Sequence, residues 1–151
     1  METKTGTHKV FTFDDLTVFF KHTDYHGFVH PYNYFEWTSY VREAFFSQMC
    51  PDFRQILKSP IKMMTTKIDC IMHFDSIFGD KFEARFSAAR IKKASCDIIV
   101  RFFNRRIERI VCETRHTLVF VDFNTQDFTL IPAGIRNAII SFQEDNKLIA
   151  S

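Results

Sequence analysis

Glycine and proline are scarce in this chain, four of each in 151 residues. That scarcity excludes collagen-like repeats and Pro/Gly-rich disorder, and leaves no glycine cluster from which a phosphate-cradling loop is built. Cysteine is equally sparse: Cys50, Cys70, Cys96 and Cys112 stand far apart with no Cys-x-x-Cys pair, which argues against a zinc knuckle or a disulfide framework. These four are expected as reduced core thiols. No run of about 18 apolar residues is present to span a bilayer. The opening Met-Glu-Thr-Lys-Thr-Gly-Thr-His has no apolar stretch of the kind a secretory leader carries, so a cytoplasmic location is expected. Charge of one sign is also lacking. Twenty basic residues face eighteen acidic ones, a net of +2, which gives no electrostatic footprint for nucleic acid.

What is abundant is phenylalanine, 19 residues in a composition that is 46% hydrophobic. A chain of this length buries one sizeable core, here a Phe-rich one, and is read as a single domain over 1–151 with residues 1–12 as a flexible tail. Leu16, Val18 and Phe20 alternate with Thr17, Phe19 and Lys21, the period of a first strand. From Pro31 the period changes. Tyr34, Trp37, Val41, Ala44 and Phe45 share one helical face, and Glu36, Ser39, Glu43 and Ser47 form a narrow polar stripe. Pro31 suits the first turn of a helix; Cys50-Pro51 ends it, ahead of a short helical piece near Asp52–Lys58.

Strands follow. The spacing predicts one from Lys67 to Phe74, a turn at Ile77-Phe-Gly-Asp80, and a second strand with Phe82, Ala84, Phe86 and Ala88 on one face. A third carries Cys96, Ile98, Val100 and Phe102. A long fourth strand from Ile107 to Phe123 presents Cys112, Thr114, His116, Leu118 and Phe120 together, and Leu130–Ile135 leads into a short helix through Ile139. Strand, long helix, then about four antiparallel strands is an α+β layout.

The chemistry gathers in His22–Trp37. Asp24 sits in a Gly-containing turn ahead of the helix, where it either acts on a substrate or caps the turn with its own side chain. His30 has the same two readings, a polarising group or a surface cap. His22, His26 and His30 fall four residues apart, but Gly27 and Pro31 interrupt the helix that would align them, and no metal site is expected. His73 and His116 are read as ordinary hydrogen-bonded strand residues.

These residues resemble the hotdog-fold acyl-CoA thioesterases, specifically the hydroxybenzoyl-CoA thioesterase branch: Asp24, Gly27, Asn33 and Tyr34 stand at that family's spacing. Gly79-Asp80, Lys92-Lys-Ala-Ser95 and Val119-Phe-Val-Asp122 extend the likeness over most of the chain after residue 15. Trp37 and Arg42-Glu43 are also similar to the enediyne-polyketide thioesterases, which act on acyl groups held by a carrier protein. The resemblance implies an antiparallel sheet wrapped around a long central helix, and a homodimer or homotetramer with sites between subunits. It further implies hydrolysis of an acyl thioester of coenzyme A or acyl carrier protein, with no cofactor beyond the coenzyme A of the substrate.

By that resemblance the catalytic candidates are Asp24, as nucleophile or general base, and His30. Gly27, Phe28, Tyr32, Asn33, Tyr34, Lys92, Lys93 and Ser95 are the substrate-binding candidates. The two lysines, with Arg90, Arg105 and Arg106, are expected near the coenzyme phosphates, although sheet turns commonly carry Lys and Arg for solubility. The chain departs from the pattern twice. The oxyanion-donor position, seven residues after the Asp, is Pro31, which has no N–H, leaving Tyr32 or the His30 side chain to supply one. A strand Tyr of some relatives is Phe20 here. The alternative to an enzyme is a non-catalytic acyl-thioester or carrier-protein binder. A hotdog dehydratase is disfavoured by the lack of a His-Phe-Pro-Gly motif.

Overall fold

The computed structural model describes residues 9–144. Their strands are β1 (Phe11–Thr17), β2 (Ile61–Met72), β3 (Lys81–Ala89), β4 (Ser95–Asn104), β5 (Arg109–Asp122) and the two-residue β6 (Asp127–Phe128). The helices are α1 (Tyr32–Met49), α2 (Phe53–Lys58) and α3 (Ala133–Ile140). All strand pairs are antiparallel, in the order β1-β3-β4-β5-β2, with β6 against the end of β5. The sheet curls around α1, the hotdog architecture that the family resemblance implies.

The apolar face expected of α1 is the one it buries: Tyr34, Trp37, Val41 and Phe45 lie in the core with Phe82, Phe86, Phe102 and Phe120 of the sheet. Phe45 stacks on Phe86 at 4.0 Å between ring centres, and Trp37 and Tyr34 meet Phe82 and Phe102 edge-on at 5.5 and 5.1 Å. Each such aromatic pair adds about 0.5–1.5 kcal/mol beyond the area it removes from water. Glu36, Glu43 and Ser47 of the polar stripe face outward.

Three boundaries differ from the sequence pattern. First, β1 starts at Phe11, inside the segment read as a tail, because Phe11 packs edge-on against Phe45 at 5.3 Å and Phe13 against Tyr40 at 5.3 Å. Second, β1 stops at Thr17. Gly79 N–H bonds Val18 O, the chain turns through a 3₁₀ segment at Phe20–His22, and Phe19 and Phe20 face solvent, so their alternation reflects residue type and not burial. Third, β2 begins six residues before the alternation suggests. A bulge between Thr65 and Lys67 inverts the pattern mid-strand, so one face reads Ile61, Met63, Thr65 and then Ile68, Cys70, Met72.

On β5, Cys112, Thr114, His116, Leu118 and Phe120 are all buried, as their alternation requires. His116 corrects an expectation: it is 1% exposed, and neither ring nitrogen has a hydrogen-bond partner among the described residues. His73 does find one, Glu113 at 3.4 Å. Burial pushes the His116 imidazole down to about 4, and the Arg42 charge adds to the effect. Between that value and the usual 6.5 the unfolded chain holds a proton that the folded chain does not, so stability is complete above about pH 6.5 and falls as pH drops toward 4. The loss should reach at most about 1.4 kcal/mol per pH unit. Urea unfolding across this window should show that slope, and His116→Leu should flatten it.

Candidate active site

After the 3₁₀ turn the chain forms a tight hairpin. Thr23 pairs with Val29, Gly27 N–H donates to Asp24 O at 3.0 Å, and Asp24 N–H donates to Phe28 O at 2.7 Å. Gly27 holds φ +84°, with nothing within 4 Å of where a Cβ would sit. Backbone strain, not crowding, is therefore what favours glycine there. The half-buried Asp24 carboxylate spends Oδ1 on this turn, accepting from His26 N–H at 2.8 Å and Phe28 N–H at 3.2 Å. Its Oδ2 makes no hydrogen bond among the described residues.

Two supports hold the hairpin. Beneath it, Val29 N–H donates to Ser76 O at 2.9 Å and Phe28 bridges to Ile77, so it rests on the segment between β2 and β3. That segment is fixed by Asp80, 3% exposed, which accepts from Ile77 N–H at 2.9 Å, Asn104 Nδ2 at 2.8 Å and Arg106 Nε at 2.6 Å. Burial alone would raise the Asp80 carboxyl, and these donors outweigh it, so the group titrates below the usual carboxylate range. Sequence reading took Gly79-Asp80 as a turn and missed this anchor. The available signal was a paired Asn and Arg at the next turn, Asn104-Arg-Arg106.

The second support is Asn33. Its Nδ2 donates to His22 O at 2.8 Å and His30 O at 3.0 Å, while His30 N–H donates to His22 O at 3.0 Å. The buried amide thus ties both ends of the hairpin to the first turn of α1. Pro31 occupies the cap of that helix, and the next three N–H groups are engaged: Tyr32 N–H with His30 Nδ1 at 3.3 Å, Asn33 N–H with His30 O at 3.1 Å, Tyr34 N–H with Pro31 O at 3.0 Å. Tyr32 N–H has the weakest partner, an exposed side chain at a long distance.

The other sequence candidates separate. Phe28 and Tyr32 are exposed aromatics beside the hairpin, whereas Tyr34 is fully buried among Trp37, Phe82 and Phe102. The imidazoles of His22 and His30 each accept a local backbone N–H, from Phe19 and Tyr32. Lys92 and Lys93 lie in the β3–β4 turn and Ser95 opens β4, at the far end of β3 from Asp80 and so about 30 Å from the hairpin at 3.3 Å per residue. Arg90, Arg105 and Arg106 are bound to carboxylates: Arg90 to Asp97, Arg105 to Asp14 and Glu83, Arg106 to Asp80. A cavity of about 350 Å³ adjoins the hairpin, walled by Lys21, His22, Asn33, Glu36 and Trp37.

Residues 18–139 match the thioesterase-like superfamily, and the chain belongs to it. Among solved structures it is similar to a gentisyl-coenzyme A thioesterase (22% identity, TM-score 0.71, covering 87% of this chain and 99% of that one). It is also similar to the dynemicin thioesterase (17%, TM-score 0.80, 90% and 97%) and to a 1,4-dihydroxy-2-naphthoyl-CoA thioesterase from Synechocystis (12%, TM-score 0.79, 87% and 96%). At these identities the likeness establishes the fold. Among curated proteins, none matches the sequence.

The Asn33 amide is the joint on which the hairpin hangs. Asn33→Asp, isosteric but unable to donate, places a carboxylate against two carbonyls and should cost more stability than Asn33→Ala, itself expected to lose about 1–3 kcal/mol in chemical denaturation.

Proposed function

We propose that the protein is a thioester hydrolase acting on acyl groups carried by coenzyme A or an acyl carrier protein, with Asp24 as its nucleophile or general base. The observation that carries this reading is Asp24 itself, a half-buried carboxylate held by one oxygen in a tight hairpin at the start of α1, with the other oxygen making no hydrogen bond among the described residues. Two routes suit it. Oδ2 attacks the thioester carbonyl carbon, expelling the thiolate and leaving a mixed anhydride that water opens; or it takes a proton from a water that attacks the same carbon. Either way the products are a carboxylic acid and a free thiol. The leaving thiolate requires no strong acid, so one carboxylate suffices for either route.

The developing oxyanion needs a donor, and Pro31 supplies none. Tyr32 N–H takes that part once the His30 ring swings from its long 3.3 Å bond, leaving an amide at the positive end of α1. The same observation favours a second reading. With no donor at position 31 and Tyr32 N–H already capped, the protein would bind acyl thioesters without cleaving them.

Asp24→Asn separates catalysis from turn-capping, because the amide oxygen still accepts the two backbone N–H bonds. As catalyst, Asp24→Asn should lose about 10²–10⁴-fold in thiol release from an acyl-CoA panel, followed with a disulfide dye, at an unchanged melting temperature. As a cap only, it should keep its turnover. Wild-type protein that binds the panel and releases no thiol from coenzyme A or carrier substrates establishes the binder.

We further infer a homo-oligomer joined along β2. This strand lies at the edge of the sheet and exposes Met64, Ile68, Ile71 and Met72, continued by Phe74 and Phe78. A twelve-residue edge strand with no partner on one side among the described residues, carrying four exposed apolar side chains, invites another strand. Pairing two copies there also offers a way for one protomer's Lys92 and Lys93 to approach the other's hairpin, which the length of β3 denies within one chain. Light scattering should give a dimer or tetramer, and Ile68→Glu with Ile71→Glu should yield folded monomers.

A further inference from the structure

Arginines that are half-buried in this protein meet an oxygen acceptor at close range. Arg101 holds Glu113 and Glu144, Arg115 holds Asp97 through Nη1 although its buried Nη2 has no partner among the described residues, Arg85 holds Glu83, and Arg136 donates to Lys92 O at 2.9 Å. Arg42 is the exception among the described residues. It projects from the middle of α1, its Nε is buried without a partner, and its one hydrogen bond is a long 3.3 Å contact to Thr65 Oγ1 on β2. No carboxylate of the described residues lies within ion-pair distance of it. The neighbouring inner-face residue of β5 is His116, which is 1% exposed with both ring nitrogens unpartnered. A half-buried cation and a buried imidazole, each short of a partner, are costly unless something supplies the missing acceptor.

The surroundings indicate what that is. Arg42 forms one wall of a cavity of about 420 Å³ between α1, α2 and β2, whose other walls include Phe53, Ile56, Leu57, Met63 and Phe120. Arg54 and Lys62 stand at the same cavity against Glu43, so its charge is positive on balance. Apolar walls around one inward guanidinium suit an aliphatic chain ending in an anion; a nucleotide or a free phosphate would leave those walls in water. From Tyr32, beside the hairpin, to Arg42 is ten residues of helix, about 15 Å. Alongside, the inner face of β2 is open, with Ile68 and Met72 partly exposed. A chain whose thioester lies at Asp24 can therefore run along α1 to this pocket.

We propose that Arg42 recognises a carboxylate at the far end of the acyl chain, so that half-thioesters of dicarboxylic acids are the preferred substrates. This rests on the hydrolase reading for its substrate class. The anion itself is tested independently of turnover.

Two measurements decide it. In steady-state thiol release, dodecanedioyl-CoA and tetradecanedioyl-CoA should exceed dodecanoyl-CoA and tetradecanoyl-CoA in kcat/KM by about ten- to a hundred-fold, the range for hydrogen bonds to a charged partner. Arg42→Met should bring that ratio toward one, and Arg42→Lys, which keeps the charge without the planar fork, should fall between. In thermal unfolding without any thioester, sodium octanoate should raise the melting temperature of the wild type more than 1-octanol does, and Arg42→Met should abolish the difference. A wild type that prefers the neutral chains, an Arg42→Met that loses both substrate classes in equal proportion, or an octanoate shift that survives the substitution each overturns the proposal. No thiol release from any substrate, together with an octanoate shift that depends on Arg42, overturns the hydrolase reading and leaves the anion pocket standing.

Discussion

Docking of α1 into the curl of the sheet is the constraint from which the rest follows. The Phe45–Phe86 stack at 4.0 Å, with Trp37 and Tyr34 set edge-on against Phe82 and Phe102, fixes the helix in both position and rotation. A rotation of one residue, about 100°, would carry the apolar face away from the sheet and bring Glu36 and Glu43 toward it. Because the helix cannot turn, its first residues have one location, and the hairpin tied to Asn33 has one location too. The precision available to Asp24 is thus borrowed from aromatic packing one to three turns along the same helix.

The hairpin shows how far a single side chain can serve two ends. Asp24 Oδ1 satisfies two turn amides that would otherwise lack acceptors, and Oδ2 makes no hydrogen bond among the described residues. The helix start is arranged with less slack. Pro31 preorganises the first turn through its fixed φ, but it removes the N–H that the family pattern places there, and His30 covers the next one. Rigid entry into α1 and a free amide at its tip are competing demands. In this chain the first is met fully, and the second depends on one exposed imidazole.

The elements legible in the sequence are those whose period is uninterrupted. The buried face of α1, the inner rows of β3 and β4, and the run Cys112 to Phe120 follow from a period of 3.6 or 2 with no break in register. What escaped has a local cause in each case. The bulge at Thr66 inverts the β2 pattern halfway, so a twelve-residue strand reads as one of eight. Phe19 and Phe20 look like strand residues by type and lie exposed in a 3₁₀ turn. Of the site, the turn glycine and the Asp were visible because turn chemistry is local. The Asp80 anchor was not, since its partners Asn104 and Arg106 are 24 and 26 residues away and only the β3–β4 register brings them together. Arg42 enters the sequence reading only through the likeness of Arg42-Glu43 to the enediyne-polyketide thioesterases and His116 as an ordinary strand imidazole, and nothing in their spacing marks them as lacking partners.

That lack means something because the same chain handles charge well elsewhere. On the outer face of the sheet, Arg101 bridges Glu113 and the buried Glu144, and Asp97, 2% exposed, gathers Arg90, Arg115 and Thr117. Those clusters lie on the β3, β4 and β5 ladder, where facing strands set opposite charges side by side. The inner corner between α1, β5 and β2 is built from the same kinds of residue yet leaves a guanidinium Nε and both imidazole nitrogens unpaired. A sequence able to neutralise Arg101 on both sides had residue types at hand to neutralise Arg42. An apolar side chain at position 116 would have removed the cost altogether, as Leu118 and Phe120 do two and four residues on. Keeping both polar groups short of partners among the described residues, Arg42 at the cavity and His116 buried next to it on β5, costs stability in the empty protein, the pattern expected of a site whose missing partner arrives from outside.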